Sequence, residues 1–294
     1  MKKPLFRGSA TALVTPFKGD GTPDLETLGK MIEFQIAGGT AALVPCGTTG
    51  ESACMTRRER LSVIEYTVYR TAGRVPVIPG TGTNDTALSA ELTRAARDFG
   101  ADGVLAVCPY YNKPEQDGIR KHYEVLADCG IPVIAYDVPS RTGRAIAPET
   151  AEALSRDGGI VGIKAAGGSA SWVAEVLQRC DGELPVYSGD DGCILPYLSL
   201  GALGVISVAS NLFPRQVCRL CELWFSGDTA GAAREQLRMM PAVRALFSRT
   251  NPIPVKTAME WLGYPPAVFR LPLTPLPPDE KEGLFRILEA YREG

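Results

Sequence analysis

SATALV (residues 9–14), DLETLGKMIEFQIAGG (24–39) and AALVPC (41–46) follow one another near the start of the chain, and their patterning decides the fold. The first and third are short, almost continuously apolar runs, the composition of strands buried on both faces of a parallel sheet. The stretch between them carries apolar residues at helical spacing, opens on Asp24 and closes on a glycine pair, so it has the start and stop signals of a helix. Strand, helix, parallel strand is the unit that results.

That unit recurs. VPVIPG (75–80), GVLAVC (103–108), IPVIAYDV (131–138), IVGIK (160–164), LPVYSG (184–189) and LGVISV (203–208) bring the strand candidates to eight. TRRERLSVIEYTVYRTAG (56–73), DTALSAELTRAARDFG (85–100) and EQDGIRKHYEVLADCG (115–130) supply further helices, each with an acidic or hydroxyl start and a glycine near or at its end. Eight such units are the number that closes an α/β chain into a (β/α)8 TIM barrel. An open doubly wound sheet would carry GxGxxG after its first strand, and TPFKGDGTPD (15–24) is not that pattern. From Phe213 the strand signal stops, and RQVCRLCELWFSGDTAGAAREQLRMMPAVRALF (215–247) reads as helices. The expected organisation is a barrel over 1–212 that holds the active site and a C-terminal helical extension over 213–294. No long polar linker separates them, so they should pack together.

Composition narrows the function. Lys plus Arg number 31 against 33 Asp plus Glu, a formal charge of −2 that implies no basic face for nucleic acid. No apolar run approaches the roughly 18 residues of a membrane span, and MKKPLFRGSA lacks the apolar segment of a secretory signal, so the expected place is the cytoplasm. The eight cysteines are scattered, mostly in apolar runs, as buried free thiols are. Cys218 and Cys221 form one CxxC, and with the lone His122 they fall short of the four ligands of a zinc site, so no metal is expected.

In a barrel the chemistry sits at the C-terminal strand ends and the loops that follow. Here those places hold GTTGES (47–52), PYYNKP (109–114), Tyr136 through SRTG (140–143), Lys164 and SGDDG (188–192). Lys164 ends an apolar strand, where its charged form is disfavoured and its amine can attack a carbonyl to form a Schiff base. The alternative is a lysine paired with a carboxylate, yet no acid lies in its strand. Tyr136 could shuttle protons beside it or simply pack in the core. The GTTGES turn can offer amides to a carboxylate. Arg141 can fork onto a substrate carboxylate or make a surface pair. Asp190 and Asp191 suit a helix N-cap better than a metal pair.

GTTGES, PYYNKP, YDVPSRTG, GIK, SGDD, GVISV and NPIPVK, in this order, resemble the dihydrodipicolinate synthase and N-acetylneuraminate lyase family from about residue 6 to about residue 275. The resemblance implies a Schiff base between Lys164 and pyruvate, a proton relay of Thr48, Tyr136 and Tyr111, and no cofactor, since the lysine is the electron sink. It implies that Thr49 holds the pyruvate carboxylate, with main-chain contacts from Gly189 and Ile206. Tyr111 would reach the neighbouring subunit's site in a homotetramer built as a dimer of dimers. SRTG and the double tyrosine favour the synthase branch. There pyruvate condenses with a small aldehyde, L-aspartate 4-semialdehyde, held through Arg141, giving 4-hydroxy-tetrahydrodipicolinate for lysine and diaminopimelate biosynthesis. Another pyruvate-dependent aldolase or dehydratase of the same family, acting on a sugar-acid or other aldehyde, is the alternative.

Departures from the family pattern fall at Ala165, Ala166, Asp137 and Pro45, which are expected on the second-substrate side. Ser52, Ala53, Asn84 and Tyr110 match an effector site for lysine. Leu88 stands where lysine-sensitive members place glutamate, and Arg57 and Arg60 where they often carry histidine, so inhibition by lysine should be weak or absent.

Overall fold

The computed structural model describes residues 2–167 and 169–293. Seven parallel strands form one sheet: β1 (Gly8–Ala12), β2 (Ala42–Val44), β3 (Val104–Val107), β4 (Val133–Asp137), β5 (Gly162–Ala165), β6 (Val186–Ser188) and β7 (Gly204–Ser207). Their order is β2-β1-β7-β6-β5-β4-β3. The gap between β2 and β3 is filled by residues 75–81, the third apolar run. Leu43 bridges Val77 on one side and Gly80 bridges Leu105 on the other. Hydrogen bonds from Leu43 N to Pro76 O (2.9 Å), Ile78 N to Leu43 O (2.8 Å) and Leu105 N to Pro79 O (2.9 Å) complete the contacts. Pro76 and Pro79 bring no N–H of their own, so this eighth strand is held by isolated bridges rather than a full ladder. The fold is a (β/α)8 barrel.

Helices α1 (Leu25–Ala37), α2 (Arg57–Thr71), α3 (Thr86–Asp98), α4 (Gln116–Ala127), the single turn α5 (Pro139–Thr142), α6 (Pro148–Arg156), α7 (Ala170–Arg179) and α8 (Ile194–Leu200) cover the barrel. The first shows why they form. Asp24 accepts from Thr27 N at 3.1 Å to cap α1, and Leu28, Met31, Ile32 and Gln35 are the buried stripe it lays on the strands. Then come α9 (Pro214–Phe225), which packs against β1, α10 (Thr229–Leu246), α11 (Ile253–Trp261) and α12 (Pro278–Glu293).

Alternation along the strands sorts the core into layers. Ala10, Ala12, Val44, Ile134, Tyr136 and Tyr187 cluster inside the barrel, whereas Leu43, Val133, Ala135, Ile163 and Ala165 belong to the layer beneath the helices. A third cluster joins Val205 and Val208 to α9–α12, so the C-terminal helices share a core with the end of the barrel.

One buried ion pair ties the last part of the chain to the barrel mouth. Lys256 on α11 contacts the Glu51 carboxylate, with side chains 3% and 0% exposed, and its ammonium lies 4.0 Å from the Phe17 ring centroid. Removing one partner strands a buried charge, so Lys256→Met should lower the free energy of urea unfolding by about 3–5 kcal/mol. The double variant Glu51→Leu/Lys256→Met should recover most of that loss. A single variant as stable as the parent would show that the pair is not a clamp.

Candidate active site

Parallel pairing sets Tyr136 on β4, Lys164 on β5 and Tyr187 on β6 side by side in register. All three point into the barrel, because an even step along each strand returns the side chain to the same face. The amine of Lys164 stands 4.3 Å from the Tyr136 ring centroid, and the residue is 5% exposed. Burial pulls its pKa down to about 8; the Asp191 carboxylate opposes that shift and the Arg141 guanidinium adds to it. Space for the lysine exists because residue 189 is glycine: a Cβ there would meet Lys164 Cε at 2.8 Å and Ala166 Cβ at 2.5 Å.

The turn 47–52 supplies the opposite wall. Cys46 (φ 56°) and Glu51 (φ 54°) both adopt the left-handed conformation, and Gly80 passes so close that a Cβ on it would sit 2.3 Å from Cys46 O. This contortion places the Thr48 hydroxyl in hydrogen-bond contact with the Tyr136 phenol, whose pKa burial raises while Arg141 and Thr48 pull it back. Thr49 is buried, and its Oγ1 accepts from Asn251 Nδ2 at 3.0 Å. Arg141 donates from Nη2 to Asn251 O at 2.8 Å.

Lys164, Tyr136, Thr48, Thr49, Arg141 and Gly189 therefore line one open cavity of about 1050 Å³. Ile206 is fully buried in the barrel interior and does not line that cavity. Tyr111 stands apart: it is 89% exposed on this chain, in the left-handed conformation (φ 71°), and does not line the cavity. Ser52, Ala53 and Tyr110 line an adjoining cavity, whereas Asn84 faces the 109–114 loop, its carbonyl accepting from Asn112 Nδ2 at 2.9 Å.

Several positions lie elsewhere than expected. Asp137 points outward, accepting from Ile146 N at 2.8 Å, and Ala165 belongs to the layer beneath the helices; of the four departures, only Ala166 borders the cavity. Strand alternation is the cause, since Asp137 and Ala165 each follow an inward residue. Arg57 pairs with Glu91 on the surface, so only Arg60 of the two arginines lies at the adjoining cavity. Asp190 caps a 3-10 turn through Gly192 N (2.8 Å), while Asp191 is buried and accepts from Ser207 Oγ (2.5 Å), Val208 N (3.0 Å) and Ala209 N (2.9 Å). His122 is buried against Thr86 Oγ1 (2.9 Å), its pKa depressed to about 4 by burial. Asn251 and Lys256 were not singled out by residue type; only their place in NPIPVK hinted at them.

A closed parallel barrel with a desolvated amine at its mouth defines a (β/α)8 barrel enzyme. The chain belongs to the dihydrodipicolinate synthetase family, whose model matches residues 5–291. It is 44% identical over 288 residues to the 4-hydroxy-tetrahydrodipicolinate synthase of Pelobacter propionicus, covering 98% of this chain and 99% of that one. The crystal structure of the dihydrodipicolinate synthase of Aquifex aeolicus superposes with a TM-score of 0.95 at 44% identity, covering 98% of each chain. The chloride-inhibited dihydrodipicolinate synthase of Acinetobacter baumannii, complexed with pyruvate, superposes at 0.94 with 39% identity, over 97% of this chain and 99% of that one.

Proposed function

We infer that this chain catalyses the condensation of pyruvate with L-aspartate 4-semialdehyde to 4-hydroxy-tetrahydrodipicolinate, a lyase-class step of lysine and diaminopimelate biosynthesis. The observation that carries the reading is the buried Lys164 amine beside the Tyr136 phenol, in a chain of this family.

Neutral Lys164 Nζ adds to the pyruvate ketone carbon. Tyr136, in contact with Thr48, passes a proton to the carbinolamine hydroxyl, which leaves as water. The resulting iminium loses a methyl proton to give the enamine, whose carbon bonds to the semialdehyde carbonyl. The substrate amine then attacks the imine carbon and displaces Lys164, closing the ring. Water is the second product, and the lysine returns unchanged. Thr49 and the amides of its turn hold the pyruvate carboxylate, Gly189 and Ile206 add main-chain contacts, and Arg141 takes the semialdehyde carboxylate, its guanidinium fixed by Asn251 O. Tyr111, exposed here, completes the relay in a neighbouring subunit, which makes the working form at least a dimer and, as a pair of dimers, a homotetramer. No helix among the described residues is long and apolar enough to cross a membrane, and the cytoplasm is the proposed location.

The test is pyruvate-dependent consumption of the semialdehyde by the purified protein, coupled to a dihydrodipicolinate reductase and read as NADPH oxidation. A robust rate supports the reading. No rate, with pyruvate still trapped on the protein by borohydride, moves the reaction to another aldehyde.

The depressed pKa adds a pH signature. Below pH about 8 the amine is largely protonated and cannot attack, so kcat/KM for pyruvate should rise about tenfold per pH unit and level off above that value. A flat profile between pH 6 and 9 (roughly two pH units below and one above the amine's value) would sink the assignment of Lys164 as the attacking amine.

A further inference from the structure

Asn251 stands just before α11 and lines the Lys164 cavity. Its main-chain oxygen accepts from Arg141 Nη2 at 2.8 Å, and its side-chain Nδ2 donates to Thr49 Oγ1 at 3.0 Å. One residue thereby touches both groups assigned to substrate carboxylates, by its main chain on one side and its side chain on the other. Oδ1 of the same amide is buried without a partner, which costs stability rather than adding to it. An aliphatic residue of similar size would fill the space without that cost, so packing does not explain why the position holds an amide.

The direction of the Thr49 bond supplies a reason. A hydroxyl has one proton to give, and the side from which it accepts decides where that proton is left to go. Thr49 accepts from Asn251 and, among the described residues, donates to no protein group, so its proton is left for the cavity it lines. A carboxylate at position 251 would take that proton instead. We propose that Asn251 is a positioning residue: its Nδ2 aims the Thr49 hydroxyl proton at the carboxylate of pyruvate, while its main-chain oxygen holds Arg141 whatever side chain the position bears. This rests on the reading of Thr49 as a ligand of that carboxylate, and it assigns the side chain to one substrate and the main chain to the other.

The test uses pyruvate alone. The intact assembled protein is titrated with pyruvate and reduced with borohydride, giving the half-saturating pyruvate concentration and the limiting rate of adduct formation. Asn251→Asp keeps the shape and reverses the bond. It should raise the half-saturating concentration about tenfold or more, and Asn251→Ala about threefold, both with a limiting rate close to the parent's. A role in packing alone predicts the reverse order, because aspartate is the better mimic of asparagine's shape; that order would overturn the proposal, as would no change in either variant. The added charge of aspartate is controlled by Thr49→Val, in which no hydroxyl remains to be turned. There the aspartate change should cost at most about twofold; an equal cost in both backgrounds assigns the loss to charge and overturns the proposal. Should Asn251→Asp fail to fold, Asn251→Ala carries the comparison: a weakening with Thr49 that vanishes in Thr49→Val supports the proposal, and one that persists, or no weakening at all, overturns it. A parent that traps no pyruvate overturns this reading and the Schiff-base chemistry together, whereas a parent that traps pyruvate and consumes no semialdehyde counts against the proposed reaction alone.

Discussion

Lys164→Ala protein, incubated with pyruvate and borohydride, should show no pyruvate adduct, and its rate of semialdehyde consumption should fall by about 10⁴-fold or more. The size of the effect follows from the chemistry. Without the amine there is no iminium, and without the iminium the pyruvate methyl group is too weak an acid to yield a carbon nucleophile at neutral pH. Every later step is routed through that one bond. Alanine at this position removes a side chain flanked on both strands by tyrosines, leaving a small space at the cavity wall, so the variant should fold normally. A pyruvate adduct that persists in Lys164→Ala would place the Schiff base on another amine. Lys256 is a poor substitute, since it is buried against Glu51 on the far side of the 47–52 turn.

Tyr136→Phe should cut kcat by about 10²- to 10⁴-fold while leaving the KM for pyruvate within a few-fold of the parent. Its phenol remains protonated at neutral pH, since burial raises its pKa against the pull of Arg141 and Thr48, so it can donate to the departing hydroxyl. The ring itself is kept in phenylalanine, together with its packing against the Lys164 amine at 4.3 Å. Only the proton route is lost. Borohydride trapping should therefore survive but develop more slowly, which separates this variant from Lys164→Ala. A phenylalanine variant with the parent's kcat would show that water or Thr48 carries the proton alone.

The barrel could be read from the chain because parallel strands buried on two faces are written as unbroken apolar runs, and each run here became a strand. The run at 75–80 differs in form: two prolines thin its hydrogen bonds to isolated bridges while leaving it in its place. Lys164 was legible for the converse reason, a polar group ending a run that otherwise contains none, and Tyr136 because it stands near the C-terminal end of the neighbouring run. Asn251 was not, because its meaning lies in a contact with Thr49, 202 residues away, that no local pattern encodes. Asp191 and Asp137 needed the side-chain direction as well as the residue type: one turns inward to three donors, the other outward to Ile146 N. Tyr111 belongs to a third kind, a side chain exposed on its own chain whose proposed partners lie in a neighbouring subunit.

The link from Asn251 and Lys256 back to the 47–52 turn has a consequence for synthesis on the ribosome. All eight strands have been synthesised by Ser207. The turn that carries Thr48 and Thr49 gains its contacts with Asn251 and Lys256 only when residues 251–256 follow, so Lys164 is synthesised well before this part of the mouth is braced. A chain interrupted between these two points would lack both contacts with that turn, and residues 251–256 supply them.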